Sequence, residues 1–151
     1  MFKAYITEVV DRLLKEFGTR DPFELARALG ITVKYGELIR LKGFFCFISD
    51  SRYIAINVNI PKAEAALICA HELGHDQLHR DMMPAIKFMK DETLFSTAKV
   101  EHEADIFAAN LLIPDDLIAK YANSGFTIKQ IAANENLYPQ LVKLKWKDGK
   151  D

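Results

Sequence analysis

Residues 69–79 read Cys-Ala-His-Glu-Leu-Gly-His-Asp-Gln-Leu-His, and His71-Glu72-Leu73-Gly74-His75 within them constrains the chain more tightly than any other stretch. On a helix, two histidines four residues apart project from one face, about 6 Å apart along the axis, so both imidazoles can converge on one metal ion. Glu72 is rotated about 100° from His71, which sets its carboxylate beside that ion, within reach of a water to deprotonate. The competing reading, a polar helix face with solvated histidines, loses ground to what the rest of the chain supplies.

Two imidazoles underfill a zinc site, because a catalytic zinc typically has three protein ligands and a fourth position open to water. In a continuing helix His79 sits about 12 Å along the axis from His71, too far to share an ion. The metzincin spacing is absent as well, since Leu78 and Asp81 stand where its glycine and third histidine would be. Another helix must supply the third ligand, and residues 100–114, Val-Glu-His-Glu-Ala-Asp-Ile-Phe-Ala-Ala-Asn-Leu-Leu-Ile-Pro, offer one. Ser96 or Thr97 is placed to cap it and Pro114 to close it, while Ala104, Phe107, Ala108, Leu111 and Leu112 form its packing stripe. Glu101 and Asp105 share a face, and Glu103 is turned about 200° from Glu101. Glu101 is therefore assigned as the third ligand, with Glu103 as the alternative. Asp105 is read as the acceptor for the free N–H of a metal-bound histidine, His71 first. Glu103 and His102 are otherwise expected either in solvent or behind the metal ligands, supporting them without touching the ion.

The expected cofactor is zinc, although manganese or iron suits the same set of two histidines and a glutamate. Glu72 would take a proton from the attacking water and return it to the leaving amine. Such sites usually add a further donor to the oxyanion, for which His79, His102 and Tyr121 are candidates. For His79 a structural role, such as a bond to a backbone carbonyl near the helix end, is the stronger reading.

The paired motifs resemble the ImmA/IrrE-type metallopeptidases of bacteria, mobile elements and phages. The resemblance is carried by His71-Glu72-Leu73-Gly74-His75 with Leu78-His79, by Glu101-x-Glu103-Ala104-Asp105-x-Phe107-Ala108, and by Leu111-Leu112-Ile113-Pro114. Gly43 and Tyr53-Ile54-Ala55-Ile56-Asn57 extend it, so that it covers about residues 30–115. Many relatives have asparagine where this chain has Asp105, a mild departure toward the Glu-x-x-x-Asp pattern of gluzincins. The resemblance implies a zinc-dependent endopeptidase with a minimal gluzincin-like core. It also implies the substrate: a cytosolic helix-turn-helix repressor, often encoded nearby, whose cleavage derepresses genes of a phage, a mobile element or a stress response. Two rivals stand beside it, a non-cleaving zinc-stabilised protein that binds and sequesters a repressor, and a DNA-binding regulator.

The fold class expected is α+β, a helical bundle with a small three-stranded sheet. The chain has 151 residues, half of them hydrophobic, which suits one domain over 1–151 with a catalytic core at about 30–115 and a helical segment at 115–147. A formal net charge of -1 asks for neither nucleic acid nor an anionic membrane as the main partner. With no apolar run of the roughly 18 residues that span a bilayer, and no signal-like start, the expected location is cytoplasmic. Cys46 and Cys69, far apart in sequence, fit reduced thiols there.

A first helix is predicted over 4–17, ended by Gly18. A second is opened by the capping box Asp21-Pro22-Phe23-Glu24 and ended by Gly30. Strands are expected at 31–38, 43–48 and 53–58, the last two as a hairpin, with 52–58 offering an edge to an extended substrate. Pro61 opens the motif helix, whose approach to His71 is apolar on every side and so expected to be buried, and Gly74 leaves room for close approach by another element. Residues 80–95 are a candidate lid, although Met82, Met83, Phe88 and Met89 read more readily as core. Beyond Pro114, helices are predicted at 115–122, 128–134 and 140–146. Ile128, Ile131 and Ala132 followed by Leu141 and Val142 have helix-turn-helix spacing, but the C-terminal lysines read better as a solvated face. Direct DNA binding is therefore disfavoured, and docking of the repressor remains a further use for this segment.

Overall fold

The computed structural model describes residues 2–82 and 94–146, with Phe2 and residues 94–98 described by backbone alone. Helix α1 (Phe2–Phe17) buries Ile6, Val9, Val10 and Leu13 along one stripe and ends at Gly18, whose φ of 68° an L side chain rarely adopts. Helix α2 (Pro22–Ala28) is capped by Asp21, which accepts from the amides of Phe23 and Glu24. The expected capping box closes differently. Thr19 Oγ1 accepts from the Asp21 amide at 3.1 Å and donates to Glu24 Oε2 at 2.8 Å, so the threonine is interposed where a direct bond was expected.

Strands β1 (Thr32–Gly36), β2 (Gly43–Ile48) and β3 (Ser51–Asn57) form a sheet in the order β1-β3-β2. The expected hairpin is present, with β2 antiparallel to β3 across a turn in which Ser49 and Asp50 both have positive φ. β1 runs parallel to β3 from Thr32↔Tyr53 to Gly36↔Asn57, which puts β3 in the middle. This corrects the expected substrate edge along 52–58: both sides of that strand are occupied, and among the described residues the sheet's edges are β1 and β2. A parallel return is a non-local pairing, and strand-like composition does not encode it.

Helix α3 (Lys62–His79) carries the histidine motif. Its burial is one-sided before the motif: Ala65, Cys69 and Ala70 are buried, while Leu67 and Ile68 are only partly covered and Ala63 is exposed. The expectation of burial all round is corrected accordingly, because Leu67 and Ile68 line a cleft. A 3-10 turn, Arg80–Met82, follows, and Met82 is exposed, against its expected place in the core. The lid expectation, with Met83, Phe88 and Met89, falls on 83–93, outside the described residues.

Helix α4 (Leu94–Leu112) starts ahead of Ser96 and Thr97, which therefore lie in its first turn and do not cap it. α3 and α4 form the most extensive helix pairing, and Gly74 is the reason they can come so close. A Cβ on Gly74 would sit 3.1 Å from Ala104 Cα and 3.2 Å from Phe107 Cβ. Helices α5 (Asp115–Lys120), α6 (Ile128–Glu135) and α7 (Pro139–Lys145) complete the chain. α6 has a full Thr127/Gln130 capping box and a left-handed Asn136 at its end, and α7 packs against both α6 and α4. Among the described residues no helix is long and apolar enough to cross a membrane.

Candidate metal centre

The helical spacing of α3 and the close approach of α4 bring His71, His75 and Glu101 together, with one potential ligand atom from each lying within 4.8 Å of the others. His71 Nε2 is 2.8 Å from Glu101 Oε2, and His75 Nε2 is 3.1 Å from Glu101 Oε1. These separations are close to the edge of a coordination tetrahedron, about 3.4 Å when the metal–ligand bonds are about 2.1 Å. Both rings are held from behind through their other nitrogen. His71 Nδ1 is 2.7 Å from Asp105 Oδ1 and His75 Nδ1 is 3.0 Å from His79 Nδ1. With both Nδ1 atoms engaged outward, both Nε2 atoms face one carboxylate, and the donor set fits a divalent cation.

The electrostatics agree. Burial opposes protonation of His71, but the carboxylates of Asp105 and Glu101, and the charge of Glu72, outweigh it and push the imidazole up to about 10. Burial would raise Glu101, yet its bonds with His71 and His75 hold its carboxyl well below the usual range. The carboxylates thus favour positive charge at the point where the imidazole nitrogens meet, which is the polarity a cation site requires.

Beside the cluster lies a cleft of about 330 Å³. His71, Glu72 and Asp105 form its polar end, Lys42, Gly43, Leu67 and Ile68 one flank, and Tyr138, Gln140, Leu141 and Leu144 the other. Glu72 is 7% exposed and reaches the cleft from the motif helix.

The remaining sequence-predicted residues are placed as follows. His79 is buried and bonds to His75 and Glu103, so that among the described residues its partners are side chains and not the backbone carbonyl offered as an example of a structural role. Glu103 is turned from the His71 side as its position on α4 requires, and of the two placements expected for it, in solvent or behind the ligands, it takes the second, lying against His79. His102 is exposed and lines no part of the cleft. Tyr121 is buried among the C-terminal helices, where its hydroxyl donates to Glu135 Oε1 at 2.6 Å and accepts from Asn134 Nδ2 at 2.6 Å. It does not line the cleft either.

Sequence reasoning missed the flank formed by Tyr138, Gln140, Leu141 and Leu144. It also missed the buried pair of Arg52 with Asp76, in which Arg52 Nη1 bonds both carboxylate oxygens at 2.8 and 3.0 Å. Asp76 directly follows a motif histidine, and a charge on the packed side of a helix is the one signal that could have flagged it.

Comparison with known proteins places these observations in a wider set. The IrrE N-terminal-like domain (Peptidase_M78) matches residues 26–146. Over 142 residues, 93% of this chain and 88% of the relative, the sequence is 42% identical to the uncharacterized immunity region protein 2 of Bacillus phage phi105. Over 139 residues, 87% of this chain and 78% of the relative, it is 27% identical to the metallopeptidase ImmA of Bacillus subtilis strain 168.

Proposed function

The chain belongs to the IrrE N-terminal-like (Peptidase_M78) metallopeptidase family, and from that premise we propose that it is a zinc-dependent endopeptidase that cleaves a helix-turn-helix repressor. The observation that carries the reading is the meeting of two imidazole Nε2 atoms and one carboxylate beside a cleft lined by one of those imidazoles, that of His71, and by Glu72.

His71, His75 and Glu101 would hold the metal, with manganese or iron as substitutes in the same donor set. When bound, a zinc ion there supplies Lewis acidity, making water a nucleophile near neutral pH and polarising the scissile carbonyl. Glu72 takes the proton from the attacking water and delivers it to the leaving amine, so one carboxylate serves as base and then as acid. Asp105 orients His71 by accepting from its Nδ1–H. The flank of Leu141 and Leu144 and the opposite flank of Leu67 and Ile68 leave an apolar channel for substrate beside the reacting groups.

A repressor substrate is supported by the ImmA/IrrE resemblance and by the phage immunity-region name of one relative. A cytoplasmic location and action as one domain over 1–151 go with it. The DNA-binding rival is weakened by the packing of α7, whose Leu141 and Val142 are buried and whose Lys145 is held by Asn110 and Asp115. The test is incubation of zinc-loaded protein with the repressor encoded beside its gene, followed by mass measurement. Two fragments that sum to the repressor plus one water are expected from the wild type, and none from Glu72→Gln. An intact repressor with wild-type protein would favour the sequestering rival.

A further inference from the structure

A second line of polar side chains runs inward from the cluster, and this inference rests on reading that cluster as a metal centre. His79 lies one helical turn after His75, so the two rings share a face, and it is 3% exposed. Its Nδ1 is 3.0 Å from His75 Nδ1, and its Nε2 is 3.3 Å from Oε1 of Glu103, whose side chain is 13% exposed.

A hydrogen bond between two ring nitrogens contains one proton, so one ring donates and the other accepts. A ligand at Nε2 of His75 needs a bare Nε2, and a neutral imidazole with Nε2 bare carries its proton on Nδ1. His75 Nδ1–H therefore donates, His79 Nδ1 accepts, and the proton of His79 sits on Nε2. Glu103 stands there with a carboxylate that can only accept. In the opposite order, a proton on His79 Nδ1 forces the proton of His75 onto Nε2, where a metal would have to bind.

We propose that His79 and Glu103 are positioning residues that hold His75 in its metal-binding tautomer through a buried His75–His79–Glu103 relay. The two histidines of the motif are thus backed differently. His71 leans directly on the Asp105 carboxylate, whereas His75 reaches a carboxylate through an interposed ring.

The test is zinc affinity, by competition with a chromophoric chelator, for the wild type, His79→Phe, His79→Asn and Glu103→Ala, with thermal melting of each metal-free protein. Phenylalanine fills the ring's place without accepting a hydrogen bond, while asparagine offers a carbonyl oxygen near the position of Nδ1. Expected are a loss of about 10–100-fold for His79→Phe, about tenfold for Glu103→Ala, and recovery to within about threefold of wild type for His79→Asn. Metal-free melting temperatures should stay close together. In the zinc-loaded wild type, ring 15N shifts should place protons on His75 Nδ1 and His79 Nε2.

Unchanged affinity in His79→Phe, or a bare Nε2 on His79, overturns the relay. Equal losses in His79→Phe and His79→Asn that track the melting temperature also overturn it, because His79 is then a packing residue. Should His79→Phe not fold, Glu103→Ala decides, with unchanged affinity as the overturning result. A wild type that takes up no divalent metal, or uptake that survives Glu101→Gln, instead sinks the metal-centre reading itself, and does so before any relay variant is compared.

Discussion

Two polar clusters hang from the same turns of α3, and they are built on opposite principles. Asp76, fully buried, is met by both bonds from Arg52 Nη1, by Gln77 Nε2 at 2.8 Å and by Arg80 at 3.7 Å. Arg52 spends its other nitrogen on the carbonyl of Leu29, so the group closes on itself and ties β3 to α2 and α3. The neighbouring cluster gathers His71, His75 and Glu101 around a common point, with Glu72 and Asp105 lining the cleft beside it. Charge is common to both. What separates them is whether the donor atoms satisfy one another or converge on a place that something else can occupy.

Glu72→Gln probes the open cluster most sharply. Peptide hydrolysis should fall by about 10²–10⁴-fold while zinc content and melting temperature stay at wild-type values, checked by fragment mass, metal analysis and calorimetry. Loss of metal along with activity would show that Glu72 holds the ion. Arg52→Ala does the reverse, leaving the buried Asp76 with only Gln77 and the more distant Arg80 as partners, and should cost about 3 kcal/mol of stability in denaturant melts. The folded fraction should retain its metal affinity, and a primary loss of metal binding would erase the distinction between the clusters.

Asp105→Ala should weaken zinc binding by about 10–100-fold in a chelator competition, with little change in metal-free stability. Gly74→Ala strikes the seam that carries the open cluster. Its methyl would press on the backbone of Ala104, so about 1–3 kcal/mol of destabilisation is expected, together with weaker metal binding as Glu101 shifts.

A change of pH probes the open cluster with the chain intact. In the metal-free protein His71 is raised from 6.5 to about 10, so its protonated form adds stability that is fully present below about 6.5 and is lost as pH rises toward 10. Zinc competes for that nitrogen, hence zinc uptake should release a proton, and affinity should drop by about tenfold per unit as pH falls through this window. Titration calorimetry in buffers of different ionisation enthalpy measures the proton directly.

Local chemistry was readable in the chain. The Asp21 cap, the hairpin and the need for a glycine at position 74 all follow from residues within a few positions of one another, or from one helix period. The meeting of His71 with Glu101 and Asp105 could be anticipated because each helix presents its polar atoms on one face. What stayed hidden depends on partners distant in sequence. Arg52 and Asp76 lie on different elements, and β1 pairs in parallel with β3 after the intervening β2. Tyr138 and Leu144 reach the cleft only because α7 folds back onto α4. His79 was within reach of the same periodic argument that paired His71 with His75. Asking only whether it could share an ion concealed that it could lean on a ring.

The position of α7 has a consequence for how such a protein can diversify. A chain trimmed to residues 30–115 would retain His71, Glu72, His75, Glu101 and Asp105 but shed Leu141 and Leu144. It would keep the whole polar cluster and one part of the cleft wall, and lose the part that α7 contributes. The cleft is thus completed by a stretch remote in sequence from the cluster, so substitutions at Leu141 or Leu144 can reshape it without replacing any of the clustered histidines and carboxylates.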